Sequence, residues 1–282
     1  METHFIELRL RRTPGDPRFH ERWREIGPLL ELPVYAAKAT ILVVDQFIEV
    51  TDSFLEPFSN LKFVVSPTTG HTHLKADFSS RGIELITLRG ETEFLSRIKS
   101  VSEFVFRQIL TFCRHDDGIG RTLNGAILGI VGLGRIGKQV AFLGSSFGMK
   151  VISVDKPSHA WEWRRLFSQS DFISLHLDEN ESTKGIVTAN LLSMMKPTAF
   201  LINTARASVL DQSALIQLID DRKIAGAALD VWDGALTPIG LRLVLSLHVA
   251  GNTLEDRMRT DEFIIEKLKQ RLGKRRVRES SR

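Results

Sequence analysis

The chain has 282 residues, 43% of them hydrophobic, which is enough for one large or two ordinary α/β domains. One cysteine allows no internal disulfide, and glycine or charged residues interrupt every apolar run before it could cross a bilayer. The net charge of +4 lies in a basic tail, residues 274–282, a pattern more typical of a solvated terminus than of a nucleic-acid site. The sequence therefore predicts a globular cytoplasmic protein with no membrane or nucleic-acid partner.

The first hundred residues contain four short apolar segments, at 5–10, 39–44, 61–66 and 83–88, separated by polar or helical stretches. This rhythm predicts a smaller open α/β domain over residues 1–100 without a glycine fingerprint. Residues 98–114 form one amphipathic helix that leads into a second domain, residues 101–252. Cys113 falls on the apolar face of that helix and is predicted to pack rather than react. A charged helix from Leu254 to Leu272 is expected to return to the first domain.

Residues 126–155 have the layout of a mononucleotide-binding βαβ unit. Gly132 permits the tight turn after the strand, Gly134 lets backbone approach a pyrophosphate, and Gly137 lets the helix pack on the strand. The helix is predicted to begin near Arg135 and to direct its N–H groups at the phosphates. Asp155 ends the next strand, where a carboxylate can bind ribose hydroxyls and repel a 2′-phosphate, which favours NAD over NADP.

Strands and helices alternate from there to residue 248, as a doubly wound parallel sheet requires. Predicted strands lie at 171–177, 199–203, 226–232 and 243–248, with helices near 189–195 and 211–221. Asp211 is a good N-cap for the second of these helices.

Ligands of such sheets bind beyond the carboxyl ends of the strands, which selects Arg206 and His248 as site residues. An arginine can hold a carboxylate in a bidentate fork and polarise an adjacent carbonyl, and an imidazole can exchange a proton near neutral pH. Beside a nicotinamide, this pair implies hydride transfer between a 2-hydroxy acid and a 2-oxo acid. No metal site is predicted.

The motifs GIVGLGRIG, INTAR, GAALDVW and HVAGNT, in that order, are specific in combination. With them the chain resembles the NAD-dependent D-isomer-specific 2-hydroxyacid dehydrogenase family from about Leu61 to Leu272. The resemblance implies a Rossmann cofactor domain and a flavodoxin-like substrate domain, the latter formed by residues 1–100 and the helix at 253–273.

The resemblance also implies residue roles. Arg206 matches the arginine that binds the substrate, His248 the acid/base, and the loop of Thr69, Gly70 and His71 the turn whose N–H groups bind the substrate carboxylate. Arg135 and Ile136 match the pyrophosphate contacts, and Asp155 the ribose contact. The nicotinamide half of the cofactor is lined by Leu177, Thr183, Thr204, Ala205 and Asp230.

The chain departs from the family in the segment before His248. The family glutamate that orients the histidine is absent, because its position falls at Ala235 and Leu236. Asp233 could replace it only if the shortened loop shifts register, and its side chain is a methylene shorter. Leu247 stands in place of a proline. Ala207 replaces a glycine, which matters only if that position needs a positive φ.

A second shortened segment lies between Arg114 and Leu123, where the family has an arm that supports dimerisation. A monomer or a weakened homodimer is therefore expected. The loop SPTTGHTH lacks a run of basic residues, which disfavours a phosphorylated substrate and favours a neutral or sugar-derived acid.

Two functions remain open. The first is an active NAD-dependent 2-hydroxyacid dehydrogenase, and the second is a catalytically impaired NAD-binding relative that acts as a sensor or interaction protein. A different Rossmann enzyme, such as a methyltransferase or homocysteine hydrolase, has only the glycine loop in its favour.

Overall fold

The computed structural model describes residues 4–8, 36–114, 118–155, 158–240 and 242–280. The chain divides into two compact units. Residues 1–97 and 253–282 form one, called here the terminal unit, and residues 98–252 form the other, the central unit. The shortened segment after Arg114 lies partly outside the described residues.

The terminal unit is built on a parallel sheet. Its described strands are β1 (Phe5–Leu8), β2 (Ile41–Val44), β3 (Phe63–Ser66) and β4 (Glu84–Thr87), in the spatial order β1-β2-β3-β4. β2 and β3 are buried along their whole length, as expected for strands covered on both faces. Two short helices, α1 (Asp52–Leu55) and α2 (Thr92–Ser96), belong to this unit. Any further strand of a flavodoxin-like order that falls in residues 9–35 lies outside the described residues.

The central unit begins with α3 (Ser100–Cys113) and contains a second parallel sheet. Its strands are β5 (Ile127–Val131), β6 (Lys150–Val154), β7 (Phe172–Leu175), β8 (Phe200–Asn203), β9 (Gly226–Leu229) and β10 (Leu243–Leu245). The helices between them are α4 (Arg135–Ser146), α5 (Ala160–Gln169), α6 (Ala189–Leu192) and α7 (Gln212–Asp220). Two apolar clusters pack in this unit, and Cys113 is buried in one of them, where burial raises the pKa of its thiol.

The strand order β10-β9-β8-β7-β5-β6 reverses at β5. β6 pairs with one edge of β5 and β7 with the other. The connection from β5 to β6 and the connection from β6 to β7 therefore run in opposite directions along the sheet. This is the topological switch point of a doubly wound sheet, and it opens a crevice at the carboxyl ends of β5 and β7. The predicted fold class, an α/β doubly wound parallel sheet, is confirmed.

Local sequence accounts for the helix starts. The Asp211 carboxylate accepts a hydrogen bond from Ala214 N at 3.0 Å, so the predicted N-cap is confirmed. α5 begins with a reciprocal capping box in which His159 N donates to Glu162 Oε2 at 2.7 Å. α6 ends at Leu192, earlier than the predicted Met195.

The last helix, α8 (Leu254–Ser280), packs on the sheet of the terminal unit. Ile264, Ile265 and Leu268 are buried with strand residues, and the Phe263 ring stacks on Phe94 with centroids 4.2 Å apart. The helix extends past the predicted end at Leu272, so residues 274–280 of the basic tail are helical. In the described part of the chain, no helix combines the length and apolar character needed to span a membrane.

Candidate functional site

The glycine loop follows β5 and leads into α4. Gly132 has a φ of +92°, and a Cβ built on it would lie 2.5 Å from the carbonyl oxygen of His176. Gly137 packs against the same turn, since its Cβ would lie 2.0 Å from the Gly132 carbonyl oxygen. Protein contacts alone therefore require glycine at these two positions.

At Gly134 no protein contact requires glycine, since its φ is −70° and an added Cβ would meet no heavy atom within 4 Å. It immediately precedes Arg135, the first residue of α4, where free N–H groups carry the positive end of the helix dipole. Open space above such a helix start fits a pyrophosphate. Arg135 Nη1 lies 3.5 Å from Ile98 O, and Ile136 packs against the adjoining apolar cluster.

Asp155 follows β6 and is held beside the glycine loop. Its Oδ2 accepts a hydrogen bond from Leu133 N at 3.0 Å, and its own N–H donates to Ser158 Oγ at 3.2 Å. The residue is exposed, so its carboxylate can accept further hydrogen bonds from ribose hydroxyls. The structure thus places Asp155, the predicted ribose contact, beside the glycine loop that is predicted to bind the pyrophosphate.

A groove of about 650 Å³ opens next to Ser158, between the start of α5 and α6. Trp163, Ile186 and Met194 give it apolar walls, while Thr188 and Asn190 add polar groups. Such a lining is suited to a flat heterocycle with a few polar atoms.

The loop after β7 borders the switch point. Leu177 is buried, and its Cδ2 would lie 3.1 Å from a Cβ on Gly132. The Thr183 hydroxyl donates to the carbonyls of Asp178 and Asn180, so its role here is to fasten this loop. His176 shares a 2.8 Å hydrogen bond with Ser174 Oγ, and burial lowers its pKa to about 3, so the ring is neutral at physiological pH.

The residues after β8 form a turn that Asn203 fixes from within. Asn203 Oδ1 accepts from Ala205 N at 3.0 Å, and Asn203 Nδ2 donates to Arg206 O at 2.9 Å. Arg206 is half-buried and donates from Nη1 to Ala205 O at 2.7 Å. Within the described residues it forms no ion pair, so most of its five N–H donors are available to an anion.

Thr204 supplies an independent test of whether a cofactor fits this turn. Its hydroxyl is buried and has no hydrogen-bond partner in the described part of the chain. An unpaired buried hydroxyl is unfavourable, and a bound group with a donor or acceptor, such as a carboxamide, would satisfy it. Together with the open space at Gly134, this orphaned hydroxyl shows that the residues present fit a dinucleotide with a nicotinamide end.

Ala207 begins a short 3-10 helix, Ala207–Val209. Among the described non-glycine residues, positive φ values occur only at Arg222 and His248. The replacement of glycine at position 207 therefore introduces no backbone strain.

His248 lies in a loop that Asp230 holds in place. The Asp230 carbonyl accepts from His248 N at 2.8 Å, and its carboxylate accepts from Val249 N and Ala250 N, each at 2.9 Å, and from Ser246 Oγ at 2.6 Å. The Asp230 side chain is buried, and His248 has a φ of +54°. Asp230 thus holds the loop that carries His248, a role additional to the cofactor contact that the sequence predicted.

Asp233 is not brought to the histidine. Its backbone N–H and carbonyl both pair with the Gln212 side chain, at 3.0 and 2.8 Å, and its carboxylate is exposed. That carboxylate makes no hydrogen bond or ion pair with any described residue, His248 included. The assisting role of Asp233 therefore stays a prediction without a contact to support it, and Ala235, where the family glutamate would stand, is exposed.

The predicted substrate loop lies in the terminal unit, after β3. Thr68 Oγ1 donates to Gly70 O at 2.9 Å and shares a 3.1 Å hydrogen bond with Ser66 Oγ. Thr69 is exposed, and Gly70 and His71 are half-buried. The pKa of His71 is lowered by burial and by the nearby Arg89 charge.

Three contributors to the site lay outside the sequence-based prediction of roles. Ser246 bonds to Asp230 and Gln212 to Asp233 through hydrogen bonds between residues far apart in the sequence, which no local motif predicts. Asn203 fastens the turn that presents Arg206, and its place inside INTAR was the available signal.

A parallel sheet with a switch point, a glycine loop at that point and an acid after the next strand define the central unit as a dinucleotide-binding Rossmann domain. Residues 93–250 match the family model for the D-isomer specific 2-hydroxyacid dehydrogenase NAD binding domain. The chain belongs to the D-isomer specific 2-hydroxyacid dehydrogenase family, and its cofactor is NAD, as the sequence predicted.

Individual relatives agree with this assignment. The chain is 28% identical over 274 residues to a hydroxypyruvate reductase from Thermotoga maritima, covering 86% of this chain and 88% of that one. It is 31% identical over 251 residues to an erythronate-4-phosphate dehydrogenase from Shewanella sediminis, covering 83% of this chain but only 62% of that relative. Among solved structures, a D-lactate dehydrogenase from Aquifex aeolicus complexed with NAD and lactic acid shares the fold, with a TM-score of 0.76, 23% identity and 96% coverage of both chains.

Proposed function

We propose that this protein is an NAD-dependent oxidoreductase that interconverts a 2-hydroxy acid and the corresponding 2-oxo acid. Family membership supports oxidoreductase chemistry on hydroxy or oxo acids. The observation that carries the finer proposal is the Arg206 turn, which presents a half-buried guanidinium without an ion-pair partner in the described residues, next to the orphaned Thr204 hydroxyl.

The cofactor is held by groups already in place. Gly134 and the first N–H groups of α4 would hold the pyrophosphate, Asp155 the adenosine ribose, and Thr204 with Ala205 the nicotinamide end. When bound, NAD accepts or supplies the hydride. The Asp155 carboxylate would repel a 2′-phosphate, so we propose a preference for NAD over NADP.

Arg206 binds the substrate and polarises it. A guanidinium fork can donate to a carboxylate and to the adjacent oxygen at once, which fixes the orientation of a 2-oxo acid and stabilises charge that develops on its carbonyl oxygen. Asn203 holds the turn at both ends, so the arginine is positioned before substrate arrives. We propose that Thr69, Gly70 and His71 add backbone N–H donors for the carboxylate, as the family resemblance implies.

His248 is the acid/base. Arg206, Asp230 and His248 follow β8, β9 and β10, which are neighbours in the sheet, so all three lie at one edge of it. The imidazole would donate a proton to the oxygen at C2 during reduction and remove it during oxidation. Asp230 positions the His248 ring indirectly, because it accepts hydrogen bonds from the backbone N–H groups of His248, Val249 and Ala250.

The test is a titration of NADH fluorescence followed by a panel of 2-oxo acids including glyoxylate, hydroxypyruvate and 2-oxoglutarate. We expect binding and oxidation of NADH, loss of nearly all turnover in Arg206→Ala, and retained NADH binding. Arg165→Ala is the matched control, because it removes an exposed arginine whose side chain donates to Gln169 on the same helix. Unchanged turnover in Arg206→Ala would contradict the proposal.

The second candidate is an NAD-binding relative with impaired catalysis that acts as a sensor or interaction protein. Its support is the missing glutamate at Ala235 together with an Asp233 carboxylate that does not contact His248. It predicts NADH binding without oxidation by any acid of the panel, and NADH consumption that depends on His248 would exclude it.

A further inference from the structure

Ser246, two residues before His248, is held by hydrogen bonds to the end of β9 and to the residues that follow it. Ser246 N donates to Leu229 O at 2.9 Å, which continues the pairing of β10 with β9 beyond the strand. Its hydroxyl donates to Asp230 Oδ1 at 2.6 Å, and its carbonyl oxygen accepts from Trp232 Nε1 at 3.1 Å. The N–H, the hydroxyl and the carbonyl of Ser246 are therefore all paired with the neighbouring segment.

The Trp232 side chain joins the apolar core to this segment. Its ring is half-buried and packs against the apolar cluster of the central unit that includes Leu229 and Leu243. An indole carries a single N–H donor and no acceptor, so the bond to the Ser246 carbonyl uses the whole hydrogen-bonding capacity of the ring. Because a large flat ring packed in this way has little freedom, the core fixes the position of its N–H group.

The backbone on each side of Trp232 is held as well. Asp230 N donates to Asn203 O at 2.9 Å. Asp233 N donates to Gln212 Oε1 at 3.0 Å, and Gln212 Nε2 donates to Asp233 O at 2.8 Å. Since Gln212 is the first residue of α7, the segment that carries Trp232 is bonded to the sheet on one side and to a helix on the other.

The peptide group between Ser246 and Leu247 sets the direction in which the chain reaches His248. The carbonyl that Trp232 binds belongs to that peptide group, which is planar and turns as a unit. Leu247 is 62% exposed, so the packing of its side chain does little to hold it. The hydrogen bond from Trp232 therefore fixes the peptide group that immediately precedes the Leu247–His248 step.

We propose that Trp232 is a positioning residue for His248, whose indole N–H fixes the chain from which the imidazole reaches the substrate. This inference rests on the proposed function, in which His248 is the acid/base, and adds a residue to which that function assigns no role. Asp230 holds the backbone from His248 onward, and Trp232 holds the peptide group before it. Proton transfer requires the ring within hydrogen-bond distance of the reacting oxygen, so a displaced loop lowers the rate more than it lowers binding.

The first test is the steady-state kinetics of Trp232→Phe in the full chain, with NADH and the acid of the panel that is reduced fastest. The substitution keeps an aromatic ring and removes the N–H group. We expect kcat to fall about tenfold, because a displacement of about 1 Å at a catalytic group is enough for such a loss. The KM of the acid and the Kd of NADH should stay within about twofold of the wild-type values. Benzothienylalanine at position 232, which has the bicyclic shape of tryptophan without its N–H, should give the same loss.

A double variant separates the positioning of His248 from general damage. In His248→Ala, with imidazole added as the proton donor, the residual NADH oxidation should not change when Trp232→Phe is also introduced. Trp161→Phe is the matched control, because it removes the indole N–H of a tryptophan that is 59% exposed on α5, and its kcat should equal that of the wild type. An equal fractional loss with and without His248 would overturn the inference.

Amide hydrogen exchange gives a readout that needs neither cofactor nor substrate. Trp232→Phe should raise the exchange rate of residues 246–250 by about tenfold and leave exchange in α4 unchanged. Unchanged exchange in that segment, or unchanged kcat in both variants at position 232, would overturn the inference and leave the proposed function standing. Absence of turnover with every acid of the panel would overturn the proposed function, and the inference with it.

Discussion

His176 is a titratable side chain that the fold keeps neutral. Burial lowers its pKa to about 3, whereas the same ring in an unfolded chain has a pKa near about 6.5. Between these values the unfolded state binds more protons, so the free energy of unfolding falls as the pH falls from about 6.5 towards 3, by at most about 1.4 kcal/mol per pH unit.

We therefore expect His176→Asn to flatten the acid side of the stability profile. Between about pH 7 and pH 5 the wild-type chain should lose about 2 kcal/mol more than the variant in urea unfolding. Tryptophan fluorescence is a suitable probe, since three of the four tryptophans, at positions 161, 163 and 232, lie in the central unit with His176. His159→Asn is the control, because His159 is exposed, and an equal flattening there would contradict the assignment to His176.

Asp230 provides a second test at a single side chain. Its carboxylate accepts three hydrogen bonds from the segment around His248. An amide at this position would, in either orientation, set its NH2 group against one of the two backbone N–H donors, Val249 N or Ala250 N. Asp230→Asn should lower kcat at least tenfold and destabilise the central unit by about 1–3 kcal/mol. Because the carboxylate acts through the loop, kcat should fall more than NADH affinity, whereas Asp220→Asn, an exposed residue ending α7, should change neither.

In the turn from β5 into α4, one glycine is required by the fold and another only leaves space for the cofactor. A methyl group on Gly134 meets only open space, whereas one on Gly137 would lie 2.0 Å from a carbonyl oxygen. Gly134→Ala should therefore unfold at the wild-type temperature but bind NADH at least tenfold more weakly, as its methyl group occupies the pyrophosphate space. Gly137→Ala should unfold at a lower temperature, and an unchanged NADH affinity in Gly134→Ala would contradict this division.

The sequence predicted elements well where one local pattern determines them. The glycine loop, the apolar strands and the Asp211 cap each depend on residues within a few positions, and all are present. The helix α5 (Ala160–Gln169) was not predicted, and its N-cap residue, His159, is not among the preferred N-cap residues that would have indicated its start. The length of α8 was underestimated because residues 273–280 contain a single large apolar side chain, Val277, and so give no apolar periodicity.

The candidate site residues differ in the same way. The positions of Arg206 and His248 at one edge of the sheet could be predicted because each follows a strand of a regular parallel sheet. The role of Gln212 could not, since its hydrogen bonds with the Asp233 backbone join residues 21 positions apart. The contact of Asp230 with the backbone after His248 likewise joins residues about 20 positions apart, so only the folded chain reveals it.

The assembly of the whole molecule is a further prediction. α3 and α4 pack together, and large apolar side chains on these helices and just after α4 are exposed, namely Leu110 at 36%, Phe142 at 71% and Phe147 at 43%. Exposed apolar side chains are frequent in protein interfaces, so we expect these two helices to join two copies of the chain in a weak homodimer. Phe142→Ser should then yield monomers in light scattering at concentrations where the wild type is dimeric.

Trp161→Ser is the matched control for that experiment, because Trp161 is 59% exposed but lies on α5. A wild-type chain that stays monomeric at high concentration would contradict the interface, as would an equal effect of both substitutions.

The backbone at His248 lies in the left-handed region, with a φ of +54°. Glycine adopts this conformation freely, and asparagine, aspartate and histidine adopt it more often than other side chains do. His248→Asn should therefore melt at the same or a higher temperature than the wild type while NADH oxidation is lost, and a clear drop in melting temperature would contradict this. The left-handed backbone after β10 thus restricts the side chains that suit this position, and histidine is the one among them whose ring can exchange a proton near neutral pH.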